Sequence, residues 1–569
     1  MQKLYETKSP MPTSQPSLLF VRCCGVEMRH ANNAAKPYLC RKNNNTFRYM
    51  NVYPISVFFF ISLFVGLFFG PIVLANGSNE VWLQKAKYRF TYDRMTLPDD
   101  EHMGLLGGNY LLSVNGGGYF GLGVYGAVSG ERGGFFTGGL AFGWNKKIVG
   151  PLGIDAGVFL GGGGGGGAPQ GGGFMFRPHL DVLFSLGENS FGFGVSRVEF
   201  PNGKITSNQY SLSFEHQFHS FFLPGWRTAA GSGAQAFEVN QFDFGNVRRT
   251  RAFAFQALMY LPNDGQTGRS GRLMTDRIDV IGIRWYQYWL KNWWLEFETG
   301  GALGGSADGF AQVLGGVSYR RNIDRLLSLT ATGLLGAAGG GDVDTGGGLI
   351  YRLMAGAAYH FTERWTSGFE FGIVKALDGD LFSKSVLLKV SHQYQVLLPA
   401  IGTAFNSEDT FLKAIWHKYR LRANTQHYLP ARAQIRKNSD LGKRMISLAG
   451  LKIDTFISQD VFLTGQALGA YAGQAGGYAA GLVGVGRWKQ LDEYPTWTAQ
   501  AQFLIGAAGG GGVSVGGGLI LQPMVNVSKA ITTNVAVGIG LGVIHAPEGK
   551  LTALVGDLSI EYKYSVPHI

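Results

Sequence analysis

Cysteine is confined to Cys23, Cys24 and Cys40. Residues beyond 40 can therefore form no disulfide, cysteine-type zinc site or thiol nucleophile. Charge is also scarce: Asp, Glu, Lys and Arg make up 15% of the chain, against about 25% in an ordinary soluble domain. The 19 prolines and the lack of a strict Gly-x-y period exclude a collagen triple helix. Disorder is excluded from the other side, because hydrophobic residues reach 45% and aromatics 13%. The net charge of +12 is concentrated early. Residues 1–75 hold eight Lys and Arg and two Asp and Glu of the chain's 50 and 38, leaving 42 and 36 for the remainder. That balance gives no reason to expect a nucleic-acid partner. Motifs for nucleotide, haem or flavin are missing as well, and no cofactor is expected.

Only one long apolar run is present, Ile55 to Ala75, uncharged and preceded by Arg41, Lys42 and Arg48. Val73-Leu74-Ala75 puts small residues before Asn76, and Gly70-Pro71 precedes them. This is the layout of a secretory signal peptide with an h-region over 55–69 and cleavage after Ala75; a membrane anchor is the rival. Residues 1–75 are thus expected to be an N-terminal extension plus signal.

Glycine is abundant, 87 of 569 residues, and it recurs in register. Gly164–Arg177 reads GGGGAPQGGGFMFR, Gly339–Arg352 GGGDVDTGGGLIYR, and Gly509–Gln522 GGGGVSVGGGLILQ. Turns follow at Gly203, Gly379 and Gly549, then alternating segments ending at Phe218, Tyr394 and Tyr564. Upstream, Met95–Pro98, Met259–Pro262 and His427–Pro430 also correspond. Markers that keep one order and spacing define internal repeats. The units expected are 76–247, 248–417 and 418–569.

The alternating segments have period 2, the mark of a strand with one apolar face. Leu558, Ile560, Tyr562 and Tyr564 oppose Ser559, Glu561 and Lys563. Segments of about 9–11 residues suit a tilted bilayer-crossing strand. Trp285, Tyr286, Tyr288, Trp289, Trp293 and Trp294 suit an aromatic girdle. The predicted fold is all-β: a transmembrane antiparallel β-barrel built from three internal repeats. One large barrel with strands in the low-to-mid twenties is preferred, and tandem smaller barrels come second.

The h-region, the cysteine-free body and the terminal strand Leu554–Tyr564 make the chain resemble Gram-negative outer-membrane β-barrel proteins. The resemblance covers most of residues 76–569 at the level of architecture. It departs at the end, where Ser565-Val566-Pro567-His568-Ile569 follows the last aromatic. It implies residence in the outer membrane, membrane lipid as partner, and dependence on the barrel-assembly and general secretion machinery. It also implies a pore, channel or surface-anchoring role rather than an enzyme. A soluble periplasmic or secreted glycine-rich binding or matrix protein is one alternative, and an outer-membrane lipid- or glycan-modifying enzyme another.

Candidate chemistry is thin. The glycine tracts lack the Gly-Lys-Ser/Thr ending of a phosphate loop and are expected to serve bends and close strand approach. His216 and His392 are equivalent, but no nucleophile or metal-ligand spacing accompanies them. The best lead is a ladder of bases opening each unit: Lys85, Lys87 and Arg89; Arg249 and Arg251; Lys418, Arg420 and Arg422. Pointing into a lumen, they would favour an anionic solute or polysaccharide. Bases at a membrane rim, or serving solubility, would give the same pattern.

Overall fold

The computed structural model describes residues 82–226, 244–305, 307–401, 415–431 and 444–568. The expected export segment lies outside them. Twenty-four strands are present among the described residues. The first eight are β1 (Trp82–Thr96), β2 (His102–Ser113), β3 (Gly118–Gly130), β4 (Phe136–Val149), β5 (Leu152–Gly164), β6 (Phe174–Leu186), β7 (Asn189–Glu199) and β8 (Thr206–Pro224). The second eight are β9 (Phe244–Pro262), β10 (Ile278–Leu290), β11 (Trp293–Gly304), β12 (Ala311–Asn322), β13 (Leu327–Gly339), β14 (Leu349–His360), β15 (Trp365–Ala376) and β16 (Phe382–Ile401). The third eight are β17 (Ile415–Pro430), β18 (Ile446–Phe456), β19 (Val461–Ala472), β20 (Ala479–Gln490), β21 (Trp497–Gly509), β22 (Leu519–Ala530), β23 (Val535–His545) and β24 (Thr552–His568).

Each set closes on itself. Within a set every strand pairs antiparallel with the next, and the last returns to the first. β1 pairs β8 from Trp82↔Phe222 to Asp93↔Ser211. β9 pairs β16 from Pro262↔Ser383 to Phe244↔Ile401. β17 pairs β24 from Ile415↔His568 to Pro430↔Ala553. The chain thus forms three eight-stranded barrels, so the preference for one large barrel is corrected to the tandem arrangement. The reason is local. Each unit carries its own first and last strand with matching alternation, and closure removes both free edges within about 150 residues. The residues after Tyr564 continue the closing ladder, with Val566 opposite His417 and Pro567 opposite Trp416.

Alternation sets the two faces. In β1, Lys87, Arg89, Thr91, Asp93 and Met95 are buried inside the barrel, while Phe90 is exposed outside. The aromatic run splits the same way: Tyr286 and Trp294 are buried within the second barrel, whereas Trp289 and Trp293 are exposed at the β10–β11 hairpin. That run is therefore only partly a girdle.

The glycine tracts join β5 to β6, β13 to β14 and β21 to β22. They lie at the end opposite the first residues of β1, β9 and β17; take the tract end as the top. There each tract caps its own barrel and touches another. Ala168, Val343, and Val513 with Val515 tuck into apolar plugs at the three mouths. Gly133 N–H donates to Gly346 O (2.9 Å) and Gly477 N–H to Gly163 O (3.1 Å). At the remaining seam, a Cβ on Gly509 would stand 2.2 Å from the Gly309 Cα. The second tract therefore meets the first barrel, the third tract the second barrel, and the first tract the third barrel. Head-to-tail contacts of this kind close into a ring when the rotation allows. Glycine is required because backbone meets backbone; at Gly134, φ is +85° and an added Cβ would lie 2.3 Å from the Gly340 nitrogen. The length of the tracts follows from these two tasks, capping one barrel and contacting another.

At the bottom the closing strands run on and meet. Tyr564 and Ser565 of β24 pair with Pro224 and Leu223 of β8, and Val396 of β16 pairs with His568. Trp226 donates from its indole to Tyr419 O (2.8 Å) and packs on Phe456 and Trp488.

Candidate functional site: charged lumens and a central cavity

Below each plug the barrel interior is a layer of ion pairs. In the first barrel, Lys87 Nζ reaches Glu215 at 2.9 Å and Asp155 at 3.4 Å, and Arg89 reaches Asp155 at 2.6 Å and also bonds Glu215. Tyr119 donates to Asp155 (2.7 Å). Arg177 grips Asp93 through two bonds of 2.7 and 2.8 Å, and Ser196 donates to the same carboxylate. In the second barrel, Arg284 lies 2.8 Å from Glu298, 3.2 Å from Glu296 and 3.3 Å from Glu370. Arg352 and Lys389 complete it on Glu298 and Glu370. In the third, Arg420 pairs with Asp454 (2.7 Å) and Glu561 (3.3 Å), and Arg422 with Asp454 (2.8 Å).

The buried charges nearly balance. Lys87, Arg89 and Arg177 face Asp93, Asp155, Asp181 and Glu215. Arg284, Arg352 and Lys389 face Glu296, Glu298 and Glu370. Arg420, Arg422 and Lys452 face Asp454, Asp557 and Glu561. An eight-stranded barrel is just wide enough for side chains to fill, and these fill it. Burying so many charges is tolerable because most of them are paired and hydrogen-bonded.

The basic ladder is divided by this arrangement. Lys87, Arg89, Arg420 and Arg422 point inward and are buried. Lys85 and Lys418 have the same parity, with Lys85 exposed and Lys418 half-buried near the lower barrel ends. Arg249 and Arg251 do not enter a lumen, which corrects the expectation for the middle unit. Their strand is offset by one residue from the others. Tyr88 lies opposite His216, Phe253 opposite His392, and Leu421 opposite Tyr562. Lys87 and Arg89 therefore correspond to Ala252 and Ala254 and to Arg420 and Arg422. A one-residue shift moves a side chain to the other face. Arg251 instead bonds Gln287 and lies over the Trp285 ring. It also interacts electrostatically with Tyr88 and Tyr110 of the first barrel, Tyr394 of the second and Tyr419 of the third.

The acids that neutralise the ladder were not singled out from sequence. Glu215 and Glu561 sit on the polar parity of recognised strands, which was the available signal. Asp155, Glu298 and Asp454 come from strands whose glycine-rich alternation is weak. Asp155, His179 and Asp181 bring ligand-type atoms within 4.8 Å of one another. Lys87 and Arg89 already occupy the Asp155 carboxylate, and Arg89 also contacts His179.

Between the barrels lies a second space, a cavity of about 1540 Å³ walled by the outward faces of all three. Leu122 and Leu140 of the first barrel, Phe255 and Ile283 of the second, and Ile453 and Val483 of the third line it. Its top is bounded by Gly134, Gly164, Gly309, Gly477 and Gly509.

No protein-family model matches the chain, and no curated protein matches it. Solved structures do. OccAB3 of Acinetobacter baumannii is similar at 9% identity and a TM-score of 0.19, over 85% of this chain and 99% of that one. The outer membrane protein OpdK of Pseudomonas aeruginosa is similar at 8% identity and a TM-score of 0.20, over 86% and 100%. OpdK solved with vanillate gives 8% and 0.21, over 86% and 99%. At these scores the fold rests on the strand pairing above and not on the likeness.

Proposed function

We propose that the chain is an integral outer-membrane protein in which three fused barrels serve as a membrane anchor. One observation carries this reading: the outer faces of the last strands in every barrel are apolar and exposed. Phe191, Phe193 and Leu212 of the first barrel, Phe369 and Leu388 of the second, and Ile539 and Leu541 of the third are all at least half exposed. An apolar surface running around three barrels far exceeds what a soluble monomer shows. It fits the lipid-facing band of a transmembrane barrel, with polar side chains turned inward. Between the pore and anchoring roles, the filled lumens favour anchoring. A channel reading is supported by the charged linings, and it requires the ion-pair layer and the plug to part.

Fractionation tests the membrane reading. The protein should sediment with outer membranes, resist carbonate and urea, and migrate differently on gels before and after boiling. Extraction into the soluble fraction would defeat the proposal. Planar-bilayer recording separates the two roles. The anchoring reading expects no steady ohmic conductance, and a stable open level would return the assignment to a channel.

A further inference from the structure

The central cavity is unusual in its polarity. At about 1540 Å³ it exceeds the usual range of about 300–1,000 Å³ for small-molecule pockets. At about 30 Å³ per molecule it would take about fifty waters, yet its walls are aliphatic and aromatic along most of their height. Among the described residues no Asp, Glu or Lys lines it. Its basic side chains are the guanidinium of Arg364 and the imidazoles of His392 and His417. They gather at one corner, where the second and third barrels meet, and Arg364 and His392 act electrostatically on His417. Trp365, Tyr394 and Tyr419 border that corner. It lies at the bottom: Trp365 opens β15 and pairs with His392, and His417 is near the start of β17, opposite Val566. Above it the walls are mostly apolar up to the glycine ring, broken by Thr299, Thr425 and Thr455.

A cavity with a long apolar span and a basic, aromatic-edged lower corner is complementary to an amphiphile with an anionic head. We infer that this cavity holds a diacyl phospholipid, acyl chains in the apolar span and phosphate against Arg364, His392 and His417. The inference rests on the membrane reading above. Arginine suits phosphate through charge-assisted, forked hydrogen bonds, and tyrosine and tryptophan suit the boundary between head group and chain. Burial of the chains releases the apolar walls from water. The three barrels would then be joined by lipid at mid-height as well as by glycine above and strand ends below.

The test uses the full chain extracted from outer membranes in dodecyl maltoside and washed until bulk lipid is removed. Native mass spectrometry and assay of organic phosphate should find phospholipid retained in stoichiometric amount. The variant Arg364→Glu, His392→Gln, His417→Gln should retain about tenfold less, the effect of losing a charge-assisted hydrogen bond. A second variant, Ile283→Trp with Val483→Trp, fills the apolar span and should lose lipid with the basic corner intact. Both should keep heat-modifiable migration, showing that the barrels still close. Adding phosphatidylglycerol in micelles should reload the delipidated wild type and neither variant, and inorganic phosphate should not compete. Wild type without phospholipid, equal retention in all three proteins, retention of lipopolysaccharide instead, or competition by phosphate would each overturn the inference. A protein found in the soluble fraction would instead overturn the membrane reading.

Discussion

Inside each barrel, cations and carboxylates meet at hydrogen-bond distance; between the barrels, a large space is walled mainly by glycine, leucine, isoleucine, valine and phenylalanine. Both spaces are built by the same strands, one from each parity. β10 turns Arg284 into the lumen and Ile283 toward the cavity, and β17 turns Arg420 and Arg422 into the lumen and Tyr419 toward the cavity. The difference teaches that lumen and solvent are not synonyms here. Charge is used as packing inside, and the apolar outer face borders both the cavity and the outside of the molecule.

The sharpest way to break this comparison is to unpair a lumen charge. Arg177→Ala leaves Asp93 buried beneath an apolar plug with Ser196 as its remaining donor. Removing one partner of a buried pair costs about 3–5 kcal/mol. The midpoint of the heat-induced mobility shift should fall sharply. Arg177→Met combined with Asp93→Leu should recover most of the loss, since packed apolar residues can replace a buried pair. A double variant no better than Arg177→Ala would show that the pair does more than fill space.

The next largest effect is expected at the seams. Gly509→Ala sets a Cβ 2.2 Å from the Gly309 Cα, whereas Gly556→Ala meets nothing within 4 Å. Overpacking costs about 1–3 kcal/mol, so the first should lower the midpoint and the second should not. Equal midpoints would remove the ring of glycine contacts as a source of stability.

How much of this was legible follows from where each signal sits. The three units, the strand type and a total in the low-to-mid twenties were readable because turns and period-2 segments lie close together in sequence. The inward face of Lys87, Arg89, Arg420 and Arg422 was readable for the same reason. Closure into three was not, since one barrel and three tandem barrels share their alternation; only the β1–β8, β9–β16 and β17–β24 pairings distinguish them. Arg249 and Arg251 were misplaced although they share parity with Phe253 and Phe255, and those two aromatics lie on the outward face that lines the cavity. The tracts were opaque because their partners lie in other units, as with Gly134 and Gly339.

Arg251 offers a smaller test, of a charge outside the barrels. It lies 5.5 Å from the Trp285 ring, a contact worth about 0.5–2 kcal/mol. Arg251→Gln should therefore lower the midpoint less than Arg177→Ala. A loss as large would place Arg251 among the charges the fold depends on.

The smallest effect belongs to an ion pair in open solvent. Asp460, in the β18–β19 turn, is bonded by Arg487 at 2.7 Å and by Ser458 at 3.1 Å. These bonds, Arg487 first, hold its carboxyl below the usual range. A carboxyl lowered by folding contributes stability above its unfolded value of about 3.9 and loses it as the pH falls through the folded value. Asp460→Asn should thus leave the acid side of the pH profile slightly flatter than wild type, and high salt should erase the difference. The lumen pairs, shielded from salt, should keep their effect under the same conditions. A salt-resistant loss in Asp460→Asn would show that exposed and enclosed pairs are not the separate classes that their burial makes them.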